Sequence, residues 1–274
     1  MSTEAAKARH RLAWGLGAQG YMRYALPELA PVAERLLEIA DPAWGAAVLD
    51  VGTGPGTAAL VAARLVGPPG RVVGVDLAPE MAALAERNAR AAAVTHATFL
   101  VGDAEDLSEL ENGSFDVVVS NFGLIFAPEP ARAVSEAARV LRPGGVLAMS
   151  HWVLEGMVAE TFRFMATILP PPPPGISRPE DWGEPGAAEA RLGSTFQALE
   201  RTPIVVPCAY SSVDAAWQRV REGQPPFALA YGKMGAEERV AVEARVREFY
   251  RQRADLDGRV HFDRSAAIVR GVKK

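Results

Sequence analysis

An α/β fold built on a mostly parallel sheet is what the sequence predicts, and three observations carry that prediction. Short apolar runs alternate with helical patterns through residues 48–150, the signature of strands joined by crossover helices. The first run, Val48-Leu49-Asp50-Val51, passes directly into a glycine turn, Gly52-Thr53-Gly54-Pro55-Gly56-Thr57, that opens a helical pattern over Ala58–Leu65. The first run carries an acid near its end, Asp50, and the second closes on one, Asp76, where strands of such sheets present ligand-binding groups.

The elements follow in order. Ala5–Gly20 and Leu26–Ala40 read as one or two helices ahead of the first strand. Arg71–Asp76 is a second buried-type strand, Ala97–Val101 a third, Phe115–Asn121 a fourth and Gly144–Ser150 a fifth. Pro79–Ala92 and Pro130–Leu141 are the clearest helices between them. Trp152–Leu169 reads as helical, then Pro170–Gly175 interrupts with five successive prolines that can neither continue a helix nor join a sheet. Thr202–Tyr210 and Arg259–Arg270 read as the last two of seven strands. Between them Ser211–Asp257 is far longer than a hairpin needs and holds a long helix, Ala236–Arg253, whose charged faces read as solvated surface.

Chemistry at the glycine turn narrows the ligand. Glycines let the backbone bend sharply and approach a ligand closely. The spacing Gly52, Gly54, Gly56 departs from the dinucleotide pattern, with Thr57 in place of its third glycine. The Asp50 carboxylate repels a pyrophosphate and attracts an α-ammonium group. An adenosine carrying an amino acid fits better than one carrying phosphates. Asp76 suits two ribose hydroxyls as a bidentate acceptor.

The motifs VLDVGTGPG (48–56), VVGVDLAPEM (72–81), VGDAEDL (101–107), FDVVVSNFGLIF (115–126) and RVLRPGG (139–145) stand in one order over residues 44–152. In that order and spacing the chain resembles the class I S-adenosylmethionine-dependent methyltransferases. The resemblance implies a Rossmann-like seven-stranded sheet, mostly parallel with an antiparallel last strand, helices on both faces and helical lid insertions. It implies S-adenosylmethionine as cofactor and S-adenosylhomocysteine as product. Asp50 with Gly52, Thr53, Gly54 and Gly56 would hold the methionine end, and Asp76 the ribose. Leu77 and Met81 would flank the adenine, with Asp103 on its amino group and the Ala104 backbone on a ring nitrogen. Asn121 and Phe122 would lie beside the sulfonium. Trp14 and Tyr21 fall in the N-terminal helices; in similar enzymes an N-terminal aromatic closes over the methionine carboxylate, while packing alone also accounts for either ring.

Length and composition bound the rest. The 274 residues suit a single catalytic domain: a helical cap over 1–43, a cofactor-binding core over 44–152, and sheet completion over 153–274 with lid insertions at about 170–195 and 211–257. Hydrophobic residues make up 49%, enough for a core, with no apolar run long enough for a membrane span. The polar start, Ser2–Arg11, lacks the apolar segment of a signal peptide, and the single cysteine, Cys208, allows no internal disulfide. A reducing, cytoplasmic setting in a bacterium is the expectation, with a monomer or homodimer as the assembly. One cysteine also argues against the arsenic methyltransferases, which need several thiolates.

Net charge is −4 with scattered basic residues, so no phosphate-binding face points to nucleic acid. Ser120-Asn121-Phe122-Gly123 lacks the acid/Asn-Pro-Pro-aromatic motif of adenine and glutamine amide methylases. A small, largely apolar metabolite, methylated on O, N or C, is the expected acceptor. The proline run and the 211–257 insertion would shape its pocket. The likeness of PPPPG and Trp182-Gly183 to uncharacterised bacterial methyltransferases extends the match to about residue 195. Phe122-Gly123-Leu124 and the 139–145 motif are similar to quinone C-methyltransferases, from which the glycine turn differs.

Methyl transfer asks chiefly for in-line alignment with water excluded, and for a base only where the nucleophile must lose a proton. His151, at the end of strand five, is the candidate base; a capping or packing histidine beside Trp152 is the other reading. His10, His96 and His261 read as structural, and the four dispersed histidines offer no metal set. A relative that binds the cofactor without transferring methyl, regulatory or pericyclase-like, is the alternative function.

Overall fold

The computed structural model describes residues 2–169 and 173–274. Seven strands, β1 (Ala47–Val51), β2 (Arg71–Asp76), β3 (Ala97–Val101), β4 (Phe115–Asn121), β5 (Leu141–Trp152), β6 (Phe196–Tyr210) and β7 (Val260–Lys273), form one sheet. Their order is β3-β2-β1-β4-β5-β7-β6. Strands β1 to β5 pair in parallel, and β7 inserts antiparallel between β5 and β6. The order reverses between β1 and β4, the switch point beside which open α/β sheets bind ligands.

Helix α3 (Thr57–Val66) leaves the glycine turn, with α4 (Pro79–Ala91) and α5 (Pro130–Val140) covering the sheet further on. Each of α4 and α5 opens on a proline whose missing N–H costs nothing in the first turn. At the N-terminus α1 (Thr3–Gly20) and α2 (Leu26–Ala40) are joined by a π-helical turn, Tyr21–Ala25. Pro27 lacks an N–H for the Arg23 carbonyl, and Leu26 N–H reaches back five residues to Tyr21 O instead. The turn sets Tyr21 at the joint between the two helices.

Several boundaries differ from the sequence expectations. Strand β5 runs on through His151 and Trp152, so the following helix, α6, begins only at Gly156 and ends at Ala166. Strand β6 starts at Phe196, earlier than expected, because Phe196 and Gln197 pair with the end of β7 across a register shift before Glu200; Pro203 and Pro207, which lack ladder donors, are tolerated at the sheet edge. Part of the Pro170–Gly175 run, residues 170–172, lies outside the described residues.

The 211–257 insertion folds into α8 (Val213–Gly223), α9 (Pro225–Lys233) and α10 (Ala236–Arg251). Trp217, Phe227, Val246, Phe249 and Tyr250 close a core there separate from the central one. The insertion also seats the N-terminal cap. A Cβ at Gly17 would lie 2.6 Å from Pro225 Cβ, and one at Gly20 would strike the Glu222 carbonyl, so only glycines let α1 approach this closely. Cap and insertion therefore form one cover instead of two independent ones.

Candidate cofactor and acceptor site

The glycine turn is held by its neighbours on both sides. Gly52 and Thr53 donate from their N–H groups to Val75 O of β2 at 2.8 and 3.0 Å. Gly52 sits at φ +69°, and a Cβ there would stand 2.7 Å from Gly123 Cα. Gly54, at φ +54°, faces open space, while a Cβ at Gly56 would meet Ala85 Cβ at 3.0 Å. Close approach of two backbones thus demands Gly52, whereas Gly54 is demanded by conformation and leaves room for a ligand.

Asp50 organises this turn from beneath. Its Oδ2 accepts from Thr53 Oγ1 at 2.8 Å and from the Ala59 N–H of α3 at 3.0 Å. Its Oδ1 is buried without a partner. Burial pushes the carboxyl up to about 7 against those two hydrogen bonds, and the charge of Asp76 adds to the shift. An orphaned acidic oxygen under a glycine turn suits the α-ammonium expected there.

Asp76 accepts from Gly54 N–H at 2.8 Å through Oδ2 and from Ala78 N–H at 2.9 Å through Oδ1. Burial holds it above the usual carboxylate range, opposed by those two bonds. Each oxygen keeps a lone pair with which it could still accept a further hydrogen bond. Met81 is buried with Ala18, Ala78 and Leu84 under the flank of Trp14 and Tyr21, and Arg11 Nε donates to Leu77 O at 3.2 Å. The cap thus touches Leu77 and Met81, the residues expected to flank the adenine, directly.

Asp103 has a partner that sequence reasoning missed. The Lys7 ammonium of α1 lies 2.6 Å from Asp103 Oδ2 and 2.6 Å from Glu105 Oε2. Burial pushes this lysine down, but its bonds to Asp103 and Glu105 more than reverse that and leave its pKa above the ordinary value. Asp103 Oδ1 accepts from Glu105 N–H at 2.9 Å beside Ala104, and Glu105 Oε1 takes the Glu129 N–H at 2.5 Å.

At the ends of β4 and β5 a chain of hydroxyls fixes Asn121 and Phe122, the residues expected beside the sulfonium. Ser120 Oγ donates to Val51 O at 2.7 Å and accepts from Leu124 N–H at 2.8 Å. Ser150 Oγ donates to Asn121 Oδ1 at 2.9 Å and accepts from Phe122 N–H at 2.9 Å. These bonds hold Phe122 in a left-handed conformation, φ +58°, rare for a bulky residue. Its ring stacks on Trp152 with centroids 4.3 Å apart.

Beyond Trp152 the same face of the sheet carries charge. The Arg264 guanidinium lies 4.9 Å over the Trp152 ring. Glu28 of α2 accepts from Tyr210 Oη (3.1 Å), Arg219 Nε and Nη2 (3.1 and 2.9 Å) and Arg264 Nη2 (2.6 Å). Burial pushes the Tyr21 phenol up to about 12; Arg219, Arg264, Glu28 and Asp76 all act on it. Tyr21 thus feels both Asp76 and this cluster. Trp14 packs edge-on against Tyr21 at 5.4 Å and Phe126 at 5.2 Å, closing the roof.

His151 is not brought to this group. Successive strand residues face opposite ways, and Ser150 and Trp152 take the cofactor side. His151 is 2% exposed on the other face, among the charges of Arg201, Glu189 and Arg191. Its Nδ1 lies 2.9 Å from Trp152 O, so the neutral ring carries its proton there, and Nε2 is buried without a partner. Burial lowers its pKa, with the Trp152 carbonyl opposing. The fifth strand continues past Ser150, which puts the histidine on the face opposite Trp152 and Phe122. Period-two alternation, once β5 is extended, gives Ser150 and Trp152; no sequence signal ties Lys7, Glu28, Arg219 or Arg264 to the site.

Among the described residues no His, Cys, Asp and Glu side chains cluster in threes as a metal set, and no helix is long and apolar enough to cross a membrane.

An acid-closed glycine turn, a second acid one strand away and an aromatic end to the fourth strand define a nucleoside-binding α/β protein of the methyltransferase type. Residues 49–149 match the family described as Methyltransferase domain. The chain is 32% identical over 183 residues to the aklanonic acid methyltransferase DauC of a Streptomyces species, covering 66% of this chain and 81% of that one. It belongs to the S-adenosylmethionine-dependent methyltransferases. The fold is shared with YcgJ of Bacillus subtilis (TM-score 0.59, 21% identity, 88% of this chain and 97% of that one). It is shared also with the 4+2 cyclase SpnF (TM-score 0.54, 21% identity, 89% and 81%).

Proposed function

We propose that the chain methylates O, N or C of a small, largely apolar metabolite by in-line displacement. The observation that carries this reading is the Phe122 ring, in a left-handed backbone conformation, stacked on Trp152 at the end of β4, with Trp14 packed on Phe126 just beyond. Such a setting is apolar, aromatic and screened from water, which suits alignment of a nucleophile with a sulfonium.

S-adenosylmethionine, when bound, supplies an activated methyl group. Asp50 with the Gly52–Gly56 turn would hold its amino-acid end, and Asp76 would take the ribose hydroxyls. Leu77 and Met81 would clamp the adenine, whose amino group and ring would meet Asp103 and the Ala104 N–H. Tyr21 would cover the methionine carboxylate, and Asn121 and Phe122 would border the reacting sulfur. His151 lies on the other face and the His10 ring is packed edge-on against Phe126, so the reading favours acceptors that attack without an enzymic base, as a neutral amine, a preformed phenolate or a stabilised carbanion.

The test is turnover of isotopically labelled S-adenosylmethionine by the purified protein in a metabolite extract, followed by mass spectrometry. A labelled small molecule is the expected result. Tight cofactor binding with no labelled product would favour the non-transferring reading instead.

A further inference from the structure

The cluster around Glu28 is charged in excess of what it pairs. Two guanidiniums, Arg219 at 6% and Arg264 at 13% side-chain exposure, share one carboxylate. Four hydrogen bonds already occupy both Glu28 oxygens. Arg264 Nε and Arg219 Nη1 remain buried without partners. A buried, uncompensated positive charge is costly, and a protein that keeps one at a ligand site has a use for an anion. Arg219 Nη1 lies against its own helix, 3.2 Å from where a Cβ at Gly223 would stand. The excess charge available to a ligand is therefore that of Arg264.

Position decides what the anion belongs to. Phe122, Trp152 and Arg264 form one continuous stack, so the guanidinium is two layers removed from the ring beside the sulfonium. We propose, resting on the methyl-transfer reading above, that the acceptor is a carboxylate of at least bicyclic size, anchored on Arg264 by the end remote from the methylated atom. Guanidinium and carboxylate match as a planar fork, and the stack sets the length between anchor and reacting atom. The acid is an anchor and not the nucleophile. The other carboxylate in reach is the cofactor's own, and the experiment separates the two.

Calorimetry on protein saturated with S-adenosylhomocysteine would compare 2-naphthoate with its neutral analogue 2-naphthamide. The expected result is about a tenfold or greater preference for the acid. That preference should vanish in Arg264→Gln and survive in part in Arg264→Lys, with S-adenosylhomocysteine affinity changed by less than about twofold. Glu28→Gln, judged folded by that same affinity, should bind naphthoate more tightly because the internal competitor is gone. Loss of S-adenosylhomocysteine affinity in Arg264→Gln would assign the arginine to the cofactor carboxylate and overturn the proposal. So would a wild type that does not distinguish acid from amide, or a folded Glu28→Gln that binds naphthoate no better. A wild type unable to bind S-adenosylhomocysteine would instead defeat the reading on which the proposal rests.

Discussion

The ammonium of Lys7 stands 2.6 Å from Asp103 Oδ2, pinning the first helix to the carboxylate expected to read the adenine. The same ammonium reaches Glu105, whose side chain is fully buried. Arg11 on Leu77 O and Thr3 Oγ1 on Glu129 Oε1 (2.9 Å) add to this seam. The cap is therefore tied by charge to Asp103 and Glu105 and by the packing of Trp14 on Phe126 to the segment after β4.

Removing that cation should be expensive. Lys7→Met leaves the Glu105 carboxylate buried with no counter-charge, and breaking a buried pair in this way costs about 3 kcal/mol or more. Urea unfolding should show that loss, and Lys7→Arg should recover most of it. A variant as stable as wild type would mean that α1 is not held by this pair.

Asp76→Ala should weaken S-adenosylhomocysteine binding by about 2 kcal/mol or more, roughly 30-fold in Kd. The variant loses the ribose acceptor and also the two bonds that hold the Gly54 and Ala78 N–H groups. Undiminished affinity by calorimetry would remove Asp76 from the site. Preference for NAD would overturn the cofactor assignment.

Most of the parallel core was legible because its strands are short, apolar and closed by glycine or an acid. Ala97–Val101 and Phe115–Asn121 have the same bounds in the sequence reading and in the fold. The end of β5 was not legible, since Trp152 reads equally as the start of an amphipathic helix. That ambiguity cost the orientation of His151: a strand two residues longer decides which face it takes. The first part of β6, residues 196–201, was not legible because Gln197, Glu200 and Arg201 are polar and the register shifts between Gln197 and Glu200. The Glu28–Arg219–Arg264 cluster joins residues from α2, α8 and β7, far apart in sequence. Only the closure of the insertion onto the cap brings them together.

Asp50 makes cofactor binding depend on pH. Its carboxyl titrates at about 7 when folded, above the ordinary value of 3.8, so between those values the folded protein holds more protons than the unfolded chain. Stability from this group accordingly falls as pH rises through that window. An ammonium placed against Asp50 favours its charged form, so binding releases a proton near neutrality. S-adenosylhomocysteine affinity should rise by up to about tenfold from pH 6 to pH 8. Calorimetry in buffers of different ionisation enthalpy should register the released proton, and Asp50→Asn should abolish it. Proton uptake on binding would contradict the placement of the ammonium.

His151→Ala separates a packing histidine from a base. The ring fills a buried position on the face away from Trp152, its Nδ1 engaged with a backbone carbonyl. Truncation should destabilise the protein by about 1–3 kcal/mol, as a lost buried side chain does. Turnover of the acceptor recovered from the labelled-cofactor screen should stay within about threefold, since a base contributes 100-fold or more when it acts. Rate and stability thus move apart in this variant. A folded His151→Ala protein that lost 100-fold in turnover, while the wild-type rate rose through a pKa near neutrality, would return the histidine to the acceptor. That outcome would require β5 to end before Ser150 in the working enzyme, turning the ring through the sheet.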